Sequence, residues 1–423
     1  MLRAKSKNDK DSINQALNTD EKSTLSPGTA IETKRVRILL VLLYCVFALT
    51  GVLTALPGPW LPILAKKWML TDTQAGSVIA AQFLGNTIGC FFAVRKLRSS
   101  LLLGLAMMLL GSCGSVFLRW PDLLICFFCS GIGLGLSIPA TNLIVATLLP
   151  IRRAVSLSLL NCVWGVGAIL CPVLVLIAQR FASMELMLLT LSLAAGLLLV
   201  LLIARPWPEL ASPDLKSPDL KFNDQPDPLR ASSLKYLLLF AVLLFLYVGT
   251  ETCIAGWITV YAQRNFAGPY VFTPPLVTYF WAALILGRAA SAYLLRWTSE
   301  RSLYTASVAL GLGAFILVLS GQSLVAIILG TILSGLALAP IFPLLLSFAA
   351  PFLLSRKNGG WVFACAALGG AVLPWATGKI STTYSTLHLG LMVPLTALFS
   401  LLMLSFWLPH FTGRKPAVAA AMR

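Results

Sequence analysis

The sequence predicts an all-α membrane protein with 12 transmembrane helices in two pseudo-twofold-related six-helix bundles. Three observations predict this class: an apolar composition, a one-sided distribution of basic residues, and an internal repeat. Hydrophobic residues make up 58% of the 423 residues and charged residues only 11%, whereas soluble domains carry about 25% charged residues. The mean hydropathy is +0.87. A water-soluble fold cannot hide this much apolar surface, so lipid is the expected solvent.

Twelve apolar stretches are long enough to cross a bilayer, which takes roughly 20 mostly apolar residues. Short charged or Pro/Gly-containing breaks separate them. We number them spans 1 to 12; they cover residues 37–65, 73–94, 100–118, 122–149, 154–179, 184–204, 235–261, 273–295, 302–320, 323–350, 358–378 and 386–410.

Lys and Arg are concentrated on one side of these spans. With the N-terminus inside, 25 of the 32 Lys and Arg residues fall on cytoplasmic segments and six on the other side, while Arg288 lies within a span. The positive-inside rule therefore predicts cytoplasmic N- and C-termini in a multi-pass protein of the inner or plasma membrane. The net charge of +17 is then a topology signal, and no nucleic-acid partner is expected.

Polar segments divide the chain into five predicted parts. The longest polar stretch between spans is rich in Pro, Asp and Ser and contains the near-duplicate SPDLKSPDLKF, which is typical of an exposed linker. The predicted parts are a disordered cytoplasmic N-tail at 1–35, an N-terminal six-helix bundle at 36–204, a cytoplasmic linker at 205–234, a C-terminal six-helix bundle at 235–410 and a cytoplasmic C-tail at 411–423.

The two predicted bundles repeat each other at nearly one offset. The segment AAQFLGN at 80–86 matches AALILGR at 282–288, an offset of 202, and Pro139 matches Pro340 at an offset of 201. Parallel repeats of this kind are related by an axis along the membrane normal. They place a substrate site between them, near the midplane, and alternate its access by rocking.

Gly and Pro residues within the spans are candidate hinges. The small residues of GIGLG let a neighbouring helix approach closely, and a Pro inside a helix interrupts its hydrogen bonding and permits bends. Ordinary helix packing is an equally good interpretation, since both residues are frequent in membrane helices. The candidate gating or hinge residues are Gly131, Gly133, Gly135, Pro139, Pro172, Pro340, Pro343 and Pro374.

Several segments carry a family resemblance. They are GVLTALPGPWLPILAKKWMLTDTQAGSV at 51–78, LNCVWGVGAILCPV at 160–173, YVGTETCIAGWITVYAQ at 247–263, GLALAPIFPLL at 335–345 and ALGGAVLPWATG at 367–378. Over residues 37–410 the chain resembles the major facilitator superfamily, and within it the branch of fucose–proton symporters and other sugar carriers. The resemblance implies a secondary transporter that works by alternating access.

Two features depart from the family pattern. The hallmark loop after span 2 reads GCFFAVRKLR at 89–98, which keeps Gly89 and the basic residues but lacks the usual Asp. The fucose-symporter resemblance implies acidic residues inside spans 1 and 4, whereas span 1 has none and span 4 has only Asp122 at its entry. These departures weigh against fucose as the substrate and against that branch's proton relay.

Two ionisable residues lie deep within spans: Glu251 in span 7 and Arg288 in span 8. Charged groups inside a bilayer are costly and are functional candidates by default. Glu251 is the candidate for proton coupling, and a structural hydrogen bond to a neighbouring helix is the alternative. The depths of the two residues should differ by roughly 15 Å, so no direct salt bridge is expected. Arg288 then either binds an anionic solute or holds an inner gate through backbone carbonyls.

Amide and aromatic side chains are further candidate substrate ligands, because sugars are recognised by amides together with aromatic faces. Trp and Tyr at span ends are more often interfacial anchors. The substrate-binding candidates are Gln82, Asn86, Asn142, Asn161, Trp164, Trp257, Trp281, Arg288 and Trp375.

The sequence shows no enzyme signature. It contains no acid–base dyad, nucleophile elbow, Walker loop or metal-ligand spacing, and the nine cysteines lie in apolar stretches where they are interpreted as small packing residues. No cofactor or metal ion is expected.

The leading hypothesis is a monomeric secondary carrier that moves a small sugar-like or other polar solute together with protons. One alternative is a proton-antiport efflux carrier for amphipathic compounds. An alternative of another class is a membrane sensor that keeps the carrier fold without transporting.

Overall fold

The computed structural model describes residues 27–93, 96–149, 153–181, 183–205, 207, 229–266, 276–353 and 360–408. Within these ranges all regular secondary structure is helical, and 12 helical spans are long and apolar enough to cross a membrane. The predicted all-α class with 12 spans is confirmed. Spans 2 to 9 are the helices Asp72–Phe92, Leu97–Phe117, Leu123–Leu148, Arg153–Phe181, Met184–Ile203, Leu229–Asn265, Leu276–Leu294 and Glu300–Ser320, and span 11 is Gly360–Tyr384.

Spans 10 and 12 are interrupted. Span 10 consists of Leu324–Leu338 and Ile341–Leu353, separated by a turn at Pro340. Span 12 consists of Leu387–Gly390 and Met392–Ser405. Pro139, the counterpart of Pro340 in the repeat, lies instead inside the continuous helix of span 4. The two halves therefore use the same proline differently.

The predicted span at 37–65 is also two helices. A single residue, Leu56, separates helix Pro27–Ala55 from helix Pro57–Trp68. The cause is local, because Pro57 has no N–H to donate to the carbonyl of Leu53, four residues earlier. An unpaired carbonyl inside a membrane protein costs several kcal/mol, so another group must satisfy it.

Gln82 of span 2 supplies that group. Its Nε2 atom donates to the carbonyl oxygens of Leu53 at 3.1 Å and Thr54 at 3.4 Å. The Gln82 side chain is buried, with 2% of its surface exposed. The amide thus replaces the hydrogen bond that the proline removes, and it stabilises the break.

At the N-terminus of four spans, a side chain caps the helix. Thr71 forms a capping box with Gln74 at the start of span 2. Ser183, Ser299 and Ser323 each accept a hydrogen bond from the backbone N–H three residues later, at the starts of spans 6, 9 and 10. Such caps satisfy N–H groups that the first helical turn leaves unpaired, and they explain why the helices begin at these residues.

The described helices reach into two segments that the sequence assigns to non-helical parts. Helix Pro27–Ala55 begins inside the predicted N-tail at 1–35, and span 7 begins at Leu229 inside the predicted linker at 205–234. Most of these two segments, and the predicted C-tail at 411–423, lie outside the described residues. The five-part division stays a prediction.

The chain forms two compact units, residues 1–42 and residues 43–423. In the first, the described residues belong to the start of helix Pro27–Ala55. In the second, spans 2 and 4 pack together and so do spans 3 and 4. The same pairings recur between spans 8 and 10 and between spans 9 and 10. This repetition of contacts matches the sequence repeat.

Glycines bring the paired helices to backbone contact. A Cβ atom on Gly131 of span 4 would collide with the carbonyl of Gln82 in span 2, and one on Gly135 would collide with that of Asn86. Conversely, Gly85 of span 2 faces the carbonyl of Phe128. Between membrane helices such close approach is a main source of packing energy, so the small-residue motif of span 4 acts in packing.

Substitution of Gly131 by Ala should destabilise this contact, because the added methyl group has only backbone to displace. We expect Gly131→Ala to lower the thermal unfolding temperature in detergent, with a cost of about 1–3 kcal/mol for overpacking. The matched control is Gly313→Ala in span 9, where an added Cβ meets nothing within 4 Å. An equal unfolding temperature for the two variants would contradict the packing role.

Candidate functional site

A cavity of about 230 Å³ lies in the unit of residues 43–423, among spans 1, 2, 4, 5, 7, 8 and 10. Spans 1, 2, 4 and 5 belong to the first half of the repeat and spans 7, 8 and 10 to the second. The cavity is therefore bordered by both halves, as the repeat predicts. Aromatic rings form much of its wall: Phe47, Phe83, Trp164, Trp281 and Phe342.

Both deep charges border this cavity. Glu251 and Arg288 are among its lining residues, and Arg288 lies close enough to attract the Glu251 carboxylate. The ion pairs within 4 Å among the described residues join other partners, so the two do not form a direct salt bridge. The sequence argument correctly excluded that bridge, but it did not expect the two charges at one cavity.

Tyr247 lies one helical turn before Glu251. Its ring is fully buried, and its hydroxyl lies close to both Glu251 and Arg288 without a hydrogen bond of normal geometry. Sequence analysis missed this residue. The signal that was available is the i, i+4 spacing, which places the two side chains on the same face of span 7.

Arg288 lies beside the indole ring of Trp164. Its guanidinium carbon lies 6.0 Å from the ring centroid of Trp164, a cation–π distance. Trp164 in turn meets Trp281 edge to face, with centroids 5.6 Å apart and an angle of 84°. The buried Nε of Arg288 and the buried Nε1 of Trp281 have no hydrogen-bond acceptor.

The neutral polar groups of the cavity donate to their own helices. Asn161 donates through Nδ2 to the Leu157 carbonyl at 2.8 Å, and the hydroxyl of Thr252 donates to the carbonyl of Val248 at 2.7 Å. Thr54 does the same in span 1, at 2.7 Å. The oxygen atoms of these side chains remain available as acceptors.

Five of the nine predicted substrate-binding residues do not line the cavity. Gln82 serves the helix break described above. Trp257 is fully buried and donates from Nε1 to the Pro374 carbonyl at 3.1 Å, which joins span 7 to span 11. Trp375 has 41% of its surface exposed.

The two remaining residues are amides turned toward their own helices. Asn142 donates to the Ile138 carbonyl at 2.9 Å. Asn86 accepts from the thiol of Cys90 at 3.6 Å, four residues later. The predicted candidates that the structure does bring together are Asn161, Trp164, Trp281 and Arg288, with Glu251 beside them.

The candidate hinge residues occupy varied positions. Gly133 faces the backbone of span 3, opposite to its neighbours in the motif. Pro139, Pro172 and Pro374 lie inside continuous helices. Pro343 lies exposed in the second helix of span 10. Their gating role stays a prediction.

A second polar cluster, which sequence analysis did not identify, joins the halves at one end of the bundle. Arg264 of span 7 forms two hydrogen bonds to Asp72 of span 2, at 2.7 and 2.6 Å. Ser381 of span 11 also donates to the Asp72 carboxylate. The backbone N–H of Thr73 donates to the hydroxyl of Thr382 at 2.9 Å. The predicted topology places this end outside the cell.

The same end is tightly packed. Gly76 of span 2 faces the backbone of Pro374 and Trp375, and Gly378 of span 11 faces the carbonyl of Asp72. Spans 2 and 11 therefore touch through backbone as well as through the ion pair. Charged residues at span ends are common, so neither Asp72 nor Arg264 gives a signal in the sequence.

Comparison with known proteins gives the family. A family model described as the Major Facilitator Superfamily matches residues 43–374. No protein of curated function matches the chain.

Solved transporter structures share the fold. The chain is similar to a structure of the E. coli fucose:proton symporter, with 16% sequence identity over 89% of this chain and 100% of the other, at a TM-score of 0.59. It is similar to a D-xylose-proton symporter, with 14% identity over 90% and 99% of the two chains, at a TM-score of 0.72. A nucleoside transporter gives 13% identity over 88% and 98%, at a TM-score of 0.66.

At these identities the structures show a shared fold alone. The family model covers most of the chain, and the 12 helical spans agree with it. The chain belongs to the major facilitator superfamily of membrane transporters.

Proposed function

We propose that the protein is a secondary active transporter that carries a small polar solute together with protons by alternating access. The observation that carries this proposal is the cavity between the halves, which holds a carboxyl group and a guanidinium group in an otherwise largely apolar wall. Structural neighbours that are sugar–proton symporters support a sugar-like solute. We further propose that the protein acts as a monomer in the cell membrane, with both termini in the cytoplasm.

Glu251 is the proposed proton carrier. It is the carboxyl group among the residues that line the cavity, and a carboxyl group in a low-dielectric site exchanges its proton according to its neighbours. The Arg288 charge and the Tyr247 hydroxyl are close enough to stabilise its ionised form. Movement of either group, or binding of a solute to Arg288, would change how readily Glu251 holds a proton.

Glu251→Gln should abolish proton-driven accumulation and preserve solute exchange, because glutamine keeps the size of the side chain but cannot ionise. The measurement uses proteoliposomes with an imposed pH gradient and four solutes: D-glucose, D-glucuronate, benzamide and benzoate. At least one solute should accumulate with the wild type, and accumulation should fall at least tenfold with the variant.

The matched control is Glu185→Gln. Glu185 is half-exposed and pairs with Lys67 at 3.4 Å, and neither residue lines the cavity. This variant should accumulate solute like the wild type. Accumulation that survives in Glu251→Gln would remove the residue from the coupling step, and no flux of any solute would favour the non-transporting sensor.

The Asp72–Arg264 pair is the proposed lock of the outer end. It joins spans of different halves through two charge-assisted hydrogen bonds, which are stronger than neutral ones. The Asp72 side chain is only 9% exposed, whereas that of Arg264 is 46% exposed. Water can thus reach the arginine and replace its partner when the halves separate.

Asp72→Asn should shift the conformational equilibrium toward separation of this end, by several-fold or about 1 kcal/mol, since one charge of a partly exposed pair is removed. The measurement is the distance between spin labels at Thr73 and Thr382, which are in contact in the structure. Its mean should lengthen in the variant, and the double exchange Asp72→Arg with Arg264→Asp should shorten it again.

Lys67→Gln serves as the control for this experiment. It removes an ion pair between two residues of the first half, so the label distance should not change. An unchanged distance in Asp72→Asn would mean that the glycine contacts alone hold this end closed.

A proton-antiport efflux carrier is the second candidate. The five aromatic rings of the cavity wall favour it, because amphipathic compounds bind to such surfaces. Export of such compounds predicts that a strain lacking the protein becomes more sensitive to them. Import of a polar solute predicts no change in sensitivity.

A further inference from the structure

We propose that the transported solute carries one carboxylate group and that Arg288 binds it. This inference rests on the proposed transport function and names the class of solute for the cavity described above. Three independent observations carry it: the unpaired hydrogen-bond donors, the balance of charge, and the size and lining of the cavity.

Among the cavity residues, the buried polar atoms that have no hydrogen-bond partner are donors. Arg288 Nε and Trp281 Nε1 are buried and have no acceptor, and neither group can itself accept a hydrogen bond. Leaving a buried donor unpaired is unfavourable. Both residues line the cavity, but these two nitrogen atoms have almost no accessible surface. A bound molecule that presents acceptor oxygens would therefore remove that cost once the two side chains turn toward it. A neutral sugar hydroxyl also accepts, but it must place its own proton as well.

The geometry around Arg288 fits a carboxylate better than a hydroxyl. Guanidinium groups bind carboxylates through two parallel hydrogen bonds and carry a permanent charge. Trp164 lies against the guanidinium at a cation–π distance of 6.0 Å and so limits the positions that the group takes. No described carboxylate lies within 4 Å of Arg288, so no acidic side chain of the described part of the chain occupies its polar edge.

Charge balance couples the solute to the proton. When Glu251 is ionised, its charge and that of Arg288 offset each other across the cavity. A proton that binds to Glu251 leaves the Arg288 charge uncompensated in a low-dielectric site, which is costly. A monocarboxylate then restores neutrality. The proton and the monoanion therefore bind together, one of each, and their joint movement carries no net charge.

The ionisable groups near Glu251 support the coupling of one proton to one solute monoanion. The neighbours that act on its carboxyl group are Arg288 and the hydroxyl of Tyr247. Glu251 and Arg288 are the charged residues of the cavity lining. A dianion would leave one excess negative charge even after Glu251 is protonated, so the solute should be a monoanion.

The other residues that line the cavity indicate the size and shape of the rest of the solute molecule. The cavity of about 230 Å³ is smaller than the roughly 300–1,000 Å³ of pockets for drug-sized ligands. Aromatic rings such as Phe83, Trp281 and Phe342 present flat apolar faces, which fit either the C–H face of a sugar ring or an aromatic ring. A sugar acid and an aromatic monocarboxylate share this chemistry, and the experiment separates them.

The test uses the full chain in proteoliposomes and two matched solute pairs: D-glucuronate with D-glucose, and benzoate with benzamide. Protein-free liposomes correct for leakage of the acids. At least one acid should accumulate with an inward proton gradient, at least tenfold above its neutral partner, and a valinomycin-set membrane potential should not change its uptake. The acid that accumulates shows whether the solute is a sugar acid or an aromatic monocarboxylate.

Two variants test the assignment of Arg288. Arg288→Gln should reduce uptake of the acid at least tenfold, and Arg288→Lys should retain part of it, because lysine keeps the charge but not the paired hydrogen bonds. Trp281→Phe keeps an aromatic ring and removes the Nε1 donor, so it should raise the KM for the acid several-fold with little change in kcat.

The outcomes separate this inference from the proposed function. Proton-driven accumulation of D-glucose or benzamide, without accumulation of the matched acid, would show that the solute does not need a carboxylate group. The proposal of proton-coupled transport would still stand. Acid uptake that depends strongly on membrane potential would overturn the one-to-one pairing with a proton. Full acid uptake by a folded Arg288→Gln variant would overturn the role of Arg288.

Discussion

The bilayer supplies no water to satisfy backbone N–H and C=O groups, and the rest of the structure depends on this constraint. Each described regular element is a helix, and the break between Ala55 and Pro57 persists because the Gln82 amide takes over the carbonyl of Leu53. Residues of that break, among them Thr54 and Pro57, border the cavity. A side chain that serves only the backbone thus determines part of the cavity's shape.

Glycine contacts occur both within the first half and between the halves, and a partly exposed ion pair is added where the halves meet at one end. Within the first half, Gly131 and Gly135 place span 4 directly on the backbone of span 2, with no room for water or a side chain. Between halves, the end that holds Asp72 and Arg264 combines glycine contacts with a partly exposed ion pair. Hydrogen bonds to water can replace an ion pair, but nothing in lipid replaces lost backbone packing. The ion pair is therefore the part of this end that water can replace when the halves separate.

The sequence predicts the spans and the repeat well, since hydropathy and the bilayer thickness decide them. It also identifies Glu251 and Arg288, because charges inside a bilayer are rare. It did not bring them to one cavity, since counting residues from span ends gives only a depth and assumes upright helices. It could not know which amides face the cavity, because helix rotation is not encoded in residue type: Gln82 and Asn161 look alike in sequence and differ in role.

The two halves have become unequal in chemistry while keeping the same helix pairings. Both cavity charges, Glu251 and Arg288, come from the second half, whereas the first contributes the interrupted span 1 and the amide of Asn161. A protein built from two copies of the second half would double the buried charge, and one built from two first halves would have none. Two copies of either half would therefore not reproduce the charges of this cavity.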